Sequence, residues 1–589
     1  MAPPSGPLLI DPRRGDVEDD VSSPKQRSLL AIAGSLLAEI SLPKLLFAFM
    51  FSIVVPGLLL GLAPLLASAW LLKLSTTAAQ MTGLGAAFVL MAIMAAGWFG
   101  WRPLLATAER NFWSLNALAI QPVYAFSREG LRYLAEGSLG ANASATARAR
   151  GRAISSGAAA IILSIIALAV AVGAWHATRW VGTAADLFAV RGMVLPMLAN
   201  AVVIVFAYLA AAALVWGFAD ALMPQPVDVD DYDAASGGPS WRVAHLSDIH
   251  LVGDRYGFRI ESGRRGPRGN ERFARILARL EAIHADRPLD LILITGDMTD
   301  AGIATEWAQF LDAVEQHPAL VERMLILPGN HDLNIVDRLN PARLDLPFSP
   351  IKRLRQMRTL SAIAAVQGHR VRVVDADAGT LQRTLAQTLA PHRHWIAAFA
   401  DTGRLRQSFG LGQLWDDLFP LILPPSGPHG LGVAMLNSNA ETHFSFTNAL
   451  GMMSVEQTRR LEAAVGRFPH AHWIIALHHH LVEYPMSVAK FSERVGTALI
   501  NGSWFIRKVR NIAPRAIVMH GHRHIDWIGA CGELKILSAP SPVMGATNEA
   551  PTYFHIHTLT GGKDGRLCLL EPERVEIAGV DTANKPQSK

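Results

Sequence analysis

The stretch VAHLSDIHLV (243–252) places two polar side chains, Asp248 and His250, at the end of a short apolar run. A run of that length suits a buried strand, and a buried strand tolerates neither side chain without a partner. Its reading therefore turns on whether other strands end in the same way. From Trp241 onward, WRVAHL, DLILIT, RMLILP, GVAMLN, WIIAL and AIVMH read as strands. ERFARILARLEAIHA (271–285) and SVEQTRRLEAAVGRF (454–468) read as helices, with apolar positions three and four apart. The alternation predicts an α/β sandwich with largely buried strands.

Polar residues recur at the ends of these strands. TGDMTD supplies Asp297, and PGNHD supplies Asn330, His331 and Asp332. LHHH supplies His478, His479 and His480, and HGHRH supplies His520, His522 and His524. A turn directly after a strand is held rigidly and can aim a side chain into a shared crevice. Two divalent cations about 3.5–4 Å apart can clamp a phosphate and activate a bridging water. They repel each other, so an anionic bridge is needed, and a carboxylate on a glycine turn, such as Asp297, suits that place. Imidazole together with carboxylate favours Mn, Fe, Zn or Co over Mg or Ca.

DxH, GD, GNH[ED], a histidine cluster and GHxH, in that order, resemble the calcineurin-like metallophosphoesterase family over roughly residues 241–560. The resemblance implies a β-sandwich flanked by helices (α-β-β-α) with a dinuclear metal centre at the strand ends. It places Asp248, His250, Asp297 and His524 on one metal. Asp297 bridges to a second, which also takes Asn330, His522 and one histidine of LHHH. His478 follows the strand directly and is the expected ligand. His479 is the alternative, because the family's HHP is replaced here by HHHLVEYP. In the family the histidine matching His331 contacts the phosphoryl oxygen and protonates the leaving group, and Asp332 is expected to orient that imidazole. The implied reaction is phosphoester hydrolysis with a metal-bridging hydroxide as nucleophile. The DxH form is similar to that of cyclic-nucleotide phosphodiesterases and diacylglucosamine pyrophosphohydrolases, so a lipid-linked phosphoester and a nucleotide both stand as substrates. His245, His472 and His520 read as structural hydrogen-bonding residues, with His520 the nearest to assist. PHRH (391–394) imitates GHxH within a helical insertion.

The first 220 residues are different in kind. Of the 589 residues, 50% are hydrophobic, and these concentrate before the linker. The runs 45–72, 81–101, 153–175 and 193–219 carry no charge. Each reaches the roughly 20 residues that span a bilayer. Four transmembrane helices are therefore expected within 45–220, with a tail 1–44, a loop 102–152, a linker 221–240, a catalytic domain 241–575 and a polar tail 576–589. Arg13, Arg14, Lys25, Arg27 and Lys44 in the tail, and Arg102, Arg110, Arg128, Arg132, Arg148, Arg150 and Arg152 in the loop, outnumber Lys73, Arg179 and Arg191 on the other side. The positive-inside rule then puts the catalytic domain in the cytoplasm, on a multi-pass protein of the inner or plasma membrane. Two cysteines, Cys531 and Cys568, in no metal-binding spacing agree with a reducing compartment. The sequons at Asn142 and Asn501 read as chance matches.

Three further expectations concern less regular segments. MPQPVDVDDYDAASGGPS (223–240) reads as a flexible tether. An insertion at about 335–430 carries IKRLRQMR (351–358), readable as a solvated helix face or as a cap resting on anionic headgroups. RRGPRG (264–269) reads as a phosphate-reaching or an ordinary loop. The bilayer and a phosphoester are the expected partners. No basic, aromatic-interleaved stripe supports nucleic acid. A membrane transporter or sensor with a regulatory phosphoesterase-like domain is the alternative, and the scarcity of ionisable residues in the spans weighs against it.

Overall fold

Uncharged runs of this length fold as helices because a helix satisfies every backbone polar group within the segment. The computed structural model describes residues 9–10, 46, 49–80, scattered positions from 83 to 95, 121–139, 144–183, 190–253, 269–336, 349–375, 381–402, 405–442, 448–485, 499–545, 550–562 and 566–579. The chain divides into two units, Ile40–Met223 and Met1–Glu39 together with Pro224–Lys589. In the first unit lie α1 (Val55–Gln80), α2 (Gln121–Leu139), α3 (Ala145–Trp175) and α4 (Val190–Ala221). Among the described residues, three stretches, Val55–Thr76, Thr146–Trp175 and Gly192–Ala221, are long and apolar enough to cross a membrane. The fourth expected span, 81–101, lies largely outside the described residues, as do the tail arginines and most of RRGPRG.

Helix α2 is inside out. Its apolar Val123, Phe126, Tyr133 and Leu134 are exposed, while Tyr124, Glu129 and Arg132 are buried. Arg128 Nη1 pairs with Asp220 Oδ2 of α4 at 2.7 Å, and Arg132 Nη1 pairs with Glu129 Oε1 at 2.8 Å. Arg132 also donates to Ser156 of α3, and Arg152 pairs with Glu136 at 2.7 Å. This charged cluster lies on α2 and at the ends of α3 and α4, outside the uncharged runs 153–175 and 193–219. Three of the arginines counted for orientation are consumed in it. The positive-inside rule counts lysines and arginines, not net charge, so the count is unaffected.

The second unit holds the strands. β3 (Leu291–Ile294) and β4 (Met324–Ile326) are apolar and buried at every position, so both faces of their sheet must be covered. Their sheet runs β14 (Leu567–Leu569), β13 (Thr552–Gly561), β2 (Ser240–Leu246), β3, β4, with β15 (Glu573–Ile577) on β13. A nine-stranded sheet runs β1 (Val227–Asp228), β11 (Trp527–Cys531), β12 (Leu534–Ser538), β10 (Ile517–His520), β9 (His472–Ala476), β8 (Leu431–Met435), β7 (Leu421–Leu423), β5 (Arg372–Val374), β6 (Leu381–Thr384). Both sheets are mixed: β2–β3–β4 and β8–β9–β10–β12 are parallel, and the flanks are antiparallel. One continuous apolar core joins them, and helix α5 (Gly269–Asp286) adds Phe273, Ile276, Leu277 and Leu280 to it.

Two expectations need correction. The basic stretch 351–358 is neither a solvated face nor a headgroup cap. It opens α6 (Pro350–Gln367), where Lys352, Arg353, Arg355 and Arg358 are all buried. Backbone carbonyls accept from two of them: Arg355 Nε reaches Leu333 O at 3.0 Å and Lys352 Nζ reaches Thr442 O at 3.1 Å, while Arg353 bonds the Gln356 side chain. Long aliphatic stems make such burial affordable. The surrounding insertion extends the nine-stranded sheet through β5, β6 and β7. The linker is also no free tether. Its β1 pairs with β11, Asp228 accepts from Trp527 Nε1 at 2.8 Å, and Asp233 accepts from Leu569 N and pairs with Lys535. Asn501 is buried and bonded to Met453, which closes that sequon.

A histidine column lies within the second unit. His245 faces His555 across the β2–β13 register, with His557 two residues further along. Their rings stand 5.8–5.9 Å from His557, and Asp526 and Tyr553 close the far end. Burial, then the neighbouring His555, pushes His557 down to about 3, and burial, then His557, holds His245 well below its ordinary value. These rings are neutral in the fold and protonated in the unfolded chain below about pH 6.5. Stability is therefore full above pH 6.5 and falls as pH drops toward 3. The slope gains up to about 1.4 kcal/mol per pH unit for each such ring. Urea midpoints measured from pH 7.5 to 4 should show this slope, and His557→Leu should flatten it; an unchanged slope refutes the assignment.

Candidate metal centre

Five of the parallel strands deliver functional residues two to five positions past their ends. β2 leads to Asp248 and His250, β3 to Asp297, and β4 to a helical turn, Asn330–Leu333. β9 leads to His478, and β10 to His522 and His524. The ladder continues between the first two turns: Asp248 N donates to Gly296 O at 3.0 Å and His250 N to Asp297 O at 2.9 Å. This pairing holds an unusual backbone. Asp248, His250, Asp297, His522 and His524 have φ of +56°, +45°, +54°, +76° and +54°. Among the described residues no other non-glycine has positive φ. Such strain costs about 1–3 kcal/mol per residue and persists where the surroundings over-determine it.

The side chains converge. Asp248, His250 and His524 offer ligand atoms within 4.8 Å of one another, as do His250, Asp297 and His331, and Asp297, His478 and His522. Asp297 Oδ2 lies 3.7 Å from His250 Nε2 and 3.2 Å from His478 Nε2, so one carboxylate faces both halves of the site. Asp248 Oδ1 lies 3.2 Å from His524 Nε2. Asn330 Oδ1 lies 2.9 Å from His478 Nε2, and His522 Nδ1 lies 3.1 Å from the same nitrogen. All seven expected ligands therefore meet in one place. His478 points into it through Nε2, with Nδ1 donating to Thr295 O at 2.8 Å. His479 turns its Nδ1 to Ser438 Oγ at 2.9 Å instead, and belongs to none of the three groups.

These residues suit a pair of divalent cations. Ring nitrogens stand 3.1 Å apart in His478 and His522 and 3.3 Å apart in His250 and His524. A cation placed between the rings could take both nitrogens of a pair as ligands in place of that imidazole–imidazole hydrogen bond. The local field asks for positive charge at the same point. Burial opposes a charged His478, yet Asp297 and Asp248 raise it to about 9. Burial likewise opposes ionised Asp248, yet His524, His478 and His250 hold it below the usual carboxylate range. Imidazole, carboxylate and amide donors together are the set expected for Mn, Fe, Zn or Co.

His331 is nearly buried, and its Nδ1 donates to Asp300 O at 2.6 Å, leaving Nε2 toward the site. Its ring meets that of His250 edge to face at 4.6 Å. Here one expectation is corrected. Asp332 does not hold this imidazole. Its carboxylate accepts from Asp297 N at 3.0 Å, Thr299 N at 3.0 Å, Thr299 Oγ1 at 2.7 Å and Gly329 N at 2.9 Å. Third in its helical turn, it reaches back to the turn's start and clamps it to the β3 turn. Burial, then Asp297, raises it to about 6. The residue overlooked in the sequence is Asp300. Its Oδ1 lies 3.2 Å from His250 Nδ1, and its carbonyl holds His331. The second aspartate of TGDMTD was its only signal. His520 stacks on Tyr484, and the His472 ring lies tilted against Trp241.

Residues 242–417 match the family model for calcineurin-like phosphoesterase. No curated protein matches the chain. Similar solved structures include a putative 5'-nucleotidase from Staphylococcus aureus, 12% identical, covering 59% of this chain and 56% of that one, with a TM-score of 0.30. A dimetal phosphatase from Danio rerio is 11% identical, covers 58% of this chain and 99% of that one, and has a TM-score of 0.32. A purple acid phosphatase from yellow lupin (Lupinus luteus) seeds is 12% identical, covers 59% and 55%, and has a TM-score of 0.25. The chain thus spans little more than half the length of the nucleotidase and the purple acid phosphatase. The matched family segment holds Asp248, His250, Asp297, Asn330 and His331, and the fold brings His478, His522 and His524 to them from beyond its end. Residues 242–417 of this chain thus carry a match to the calcineurin-like phosphoesterase domain.

Proposed function

We propose that the chain is a membrane-anchored, cytosol-facing phosphodiesterase or phosphatase that works with two divalent cations. The observation that carries this reading is Asp297, a buried carboxylate shared by two groups of ligand atoms. Asp248, His250, Asp297 and His524 would hold one cation, and Asp297, Asn330, His478 and His522 the other. Bound there, the pair supplies Lewis acidity, lowering the pKa of water and neutralising phosphoryl charge. His331 lies beside His250 and Asp297, with its Nδ1 proton fixed on the Asp300 carbonyl. Its Nε2 is then placed to contact a phosphoryl oxygen and to protonate the departing alkoxide. Asp332 keeps the two turns in register.

Three apolar helices support the membrane anchor. The run 81–101 is proposed as a fourth crossing, and the arginine-rich tail and loop support the cytosolic orientation. A lipid-linked phosphoester or pyrophosphate fits a catalytic domain tethered to a bilayer, and a soluble nucleotide is the rival. Purified full-length protein in liposomes should release phosphate or monoester from one class in a panel of lipid, nucleotide and cyclic-nucleotide substrates. EDTA should abolish turnover by at least about 100-fold and Mn should restore it. Turnover that survives verified removal of bound metal would sink the proposal.

A further inference from the structure

Residues 9 and 10 belong to the same unit as the strands that carry the metal-site residues. Ser361, on α6, is fully buried, and its Oγ is occupied by these two residues alone in the hydrogen bonds described. Leu9 N donates to it at 3.0 Å and Ile10 N at 3.2 Å, and it donates to Ile10 O at 3.0 Å. The Leu9 side chain is 7% exposed and belongs to the main apolar core. This is a socket with one occupant: a buried hydroxyl saturated by backbone, beside a leucine in the core.

Helix α6 connects that socket to the metal centre. Thr359 Oγ1 donates to Asp332 O at 3.2 Å, and Arg355 Nε donates to Leu333 O at 3.0 Å. At its C-terminal end Gln367 makes two hydrogen bonds to the backbone of Ile326, the last residue of β4. The turn carrying Asn330 and His331 is therefore held to α6 by hydrogen bonds at Asp332 and Leu333, and the strand before it by those at Ile326. Anything that shifts α6 shifts that turn.

We propose that the N-terminal tail is a brace: seated around Ser361, it fixes α6 and so positions the Asn330–Asp332 turn for catalysis. Leu9, Ile10, Ser361 and Thr359 are positioning residues in this scheme. A topological consequence rests on the membrane reading proposed above. A tail docked on the catalytic domain lies on the same side of the bilayer, so the number of crossings between Ile10 and Pro224 is even. The three described spans make an odd number, so a further crossing is required.

The test uses the full chain in liposomes, with Ser361→Ala and with residues 1–12 deleted. Each change should lower the melting midpoint by about 5 °C. Each should also reduce kcat about 10-fold with KM within about two-fold, as expected for a displaced catalytic turn. A synthetic peptide of residues 1–15 added to the deleted chain should restore both. A lowered midpoint with unchanged kcat per folded molecule would overturn the positioning role, and no change in either would overturn the docking. If no phosphoester is turned over by the unaltered chain, the midpoint and peptide rescue still read the socket, so the two proposals fail separately. For topology, Ser5→Cys and Lys589→Cys, in a chain with Cys568→Ser, should react with an impermeant maleimide from the same face; labelling from opposite faces refutes the even count.

Discussion

Asp297→Asn should leave the fold in place and reduce phosphoester hydrolysis by at least about 10³-fold, more than the 10–100-fold typical of residues that only support a ligand. The substitution keeps size and shape but removes the one charge that faces both halves of the site. Two cations at bridging distance repel, and a neutral amide gives them nothing to share. His331 N, which donates to Asp297 Oδ1 at 2.8 Å, keeps an acceptor in the amide oxygen, so the turn need not collapse. Bound metal measured by elemental analysis should fall from two equivalents to one or none. Retained turnover with two equivalents bound would show that the bridge lies elsewhere.

Gly296→Ala should be nearly as damaging, by a different route. Gly296 has φ of +102°, a conformation open to glycine and strained for alanine. A methyl group there would stand 2.5 Å from His478 Nδ1 and 2.9 Å from both Cα and N of Gly329. Backbone cannot yield to it, so His478 must move, and with it the contacts to Asn330 and Asp297. About 2–4 kcal/mol of stability should be lost to strain and overpacking. Activity should fall about 10²-fold, because displacing a ligand by an ångström is enough. Thermal melting with turnover under saturating Mn separates the two effects. Gly329→Ala should behave likewise, since its methyl would lie 2.1 Å from Asp297 Oδ1. Wild-type stability and turnover in either variant would contradict the packing described here.

How legible the site was depended on which atoms carry the information. Asp248, His250, Asp297, Asn330, His522 and His524 announce themselves as polar residues where a buried strand ends, a local pattern. His478 could be ranked above His479 by its place after β9, but only the hydrogen bonds to Thr295 and Ser438 show which way each ring turns. Asp332 was misread for the same reason. Its neighbour in the chain is His331, yet its partners are backbone groups of another turn. Asp300 was passed over because its role lies in contacts to residues 50 positions before it and 31 after.

Linear pattern is enough for properties that follow from composition and period. Buried strands alternating with amphipathic helices, apolar runs of bilayer length and ligand-type residues at strand ends all repeat within a few residues. What required the folded chain was everything set by distant contacts. The basic start of α6 proved to be an interior helix bonded to carbonyls, the acidic linker a strand on β11, and residues 9–10 a clip on Ser361. Five of the expected ligands also adopt a positive-φ backbone that non-glycine residues disfavour. Local preference argues against that conformation, and it survives because the surrounding ladder and packing outweigh it.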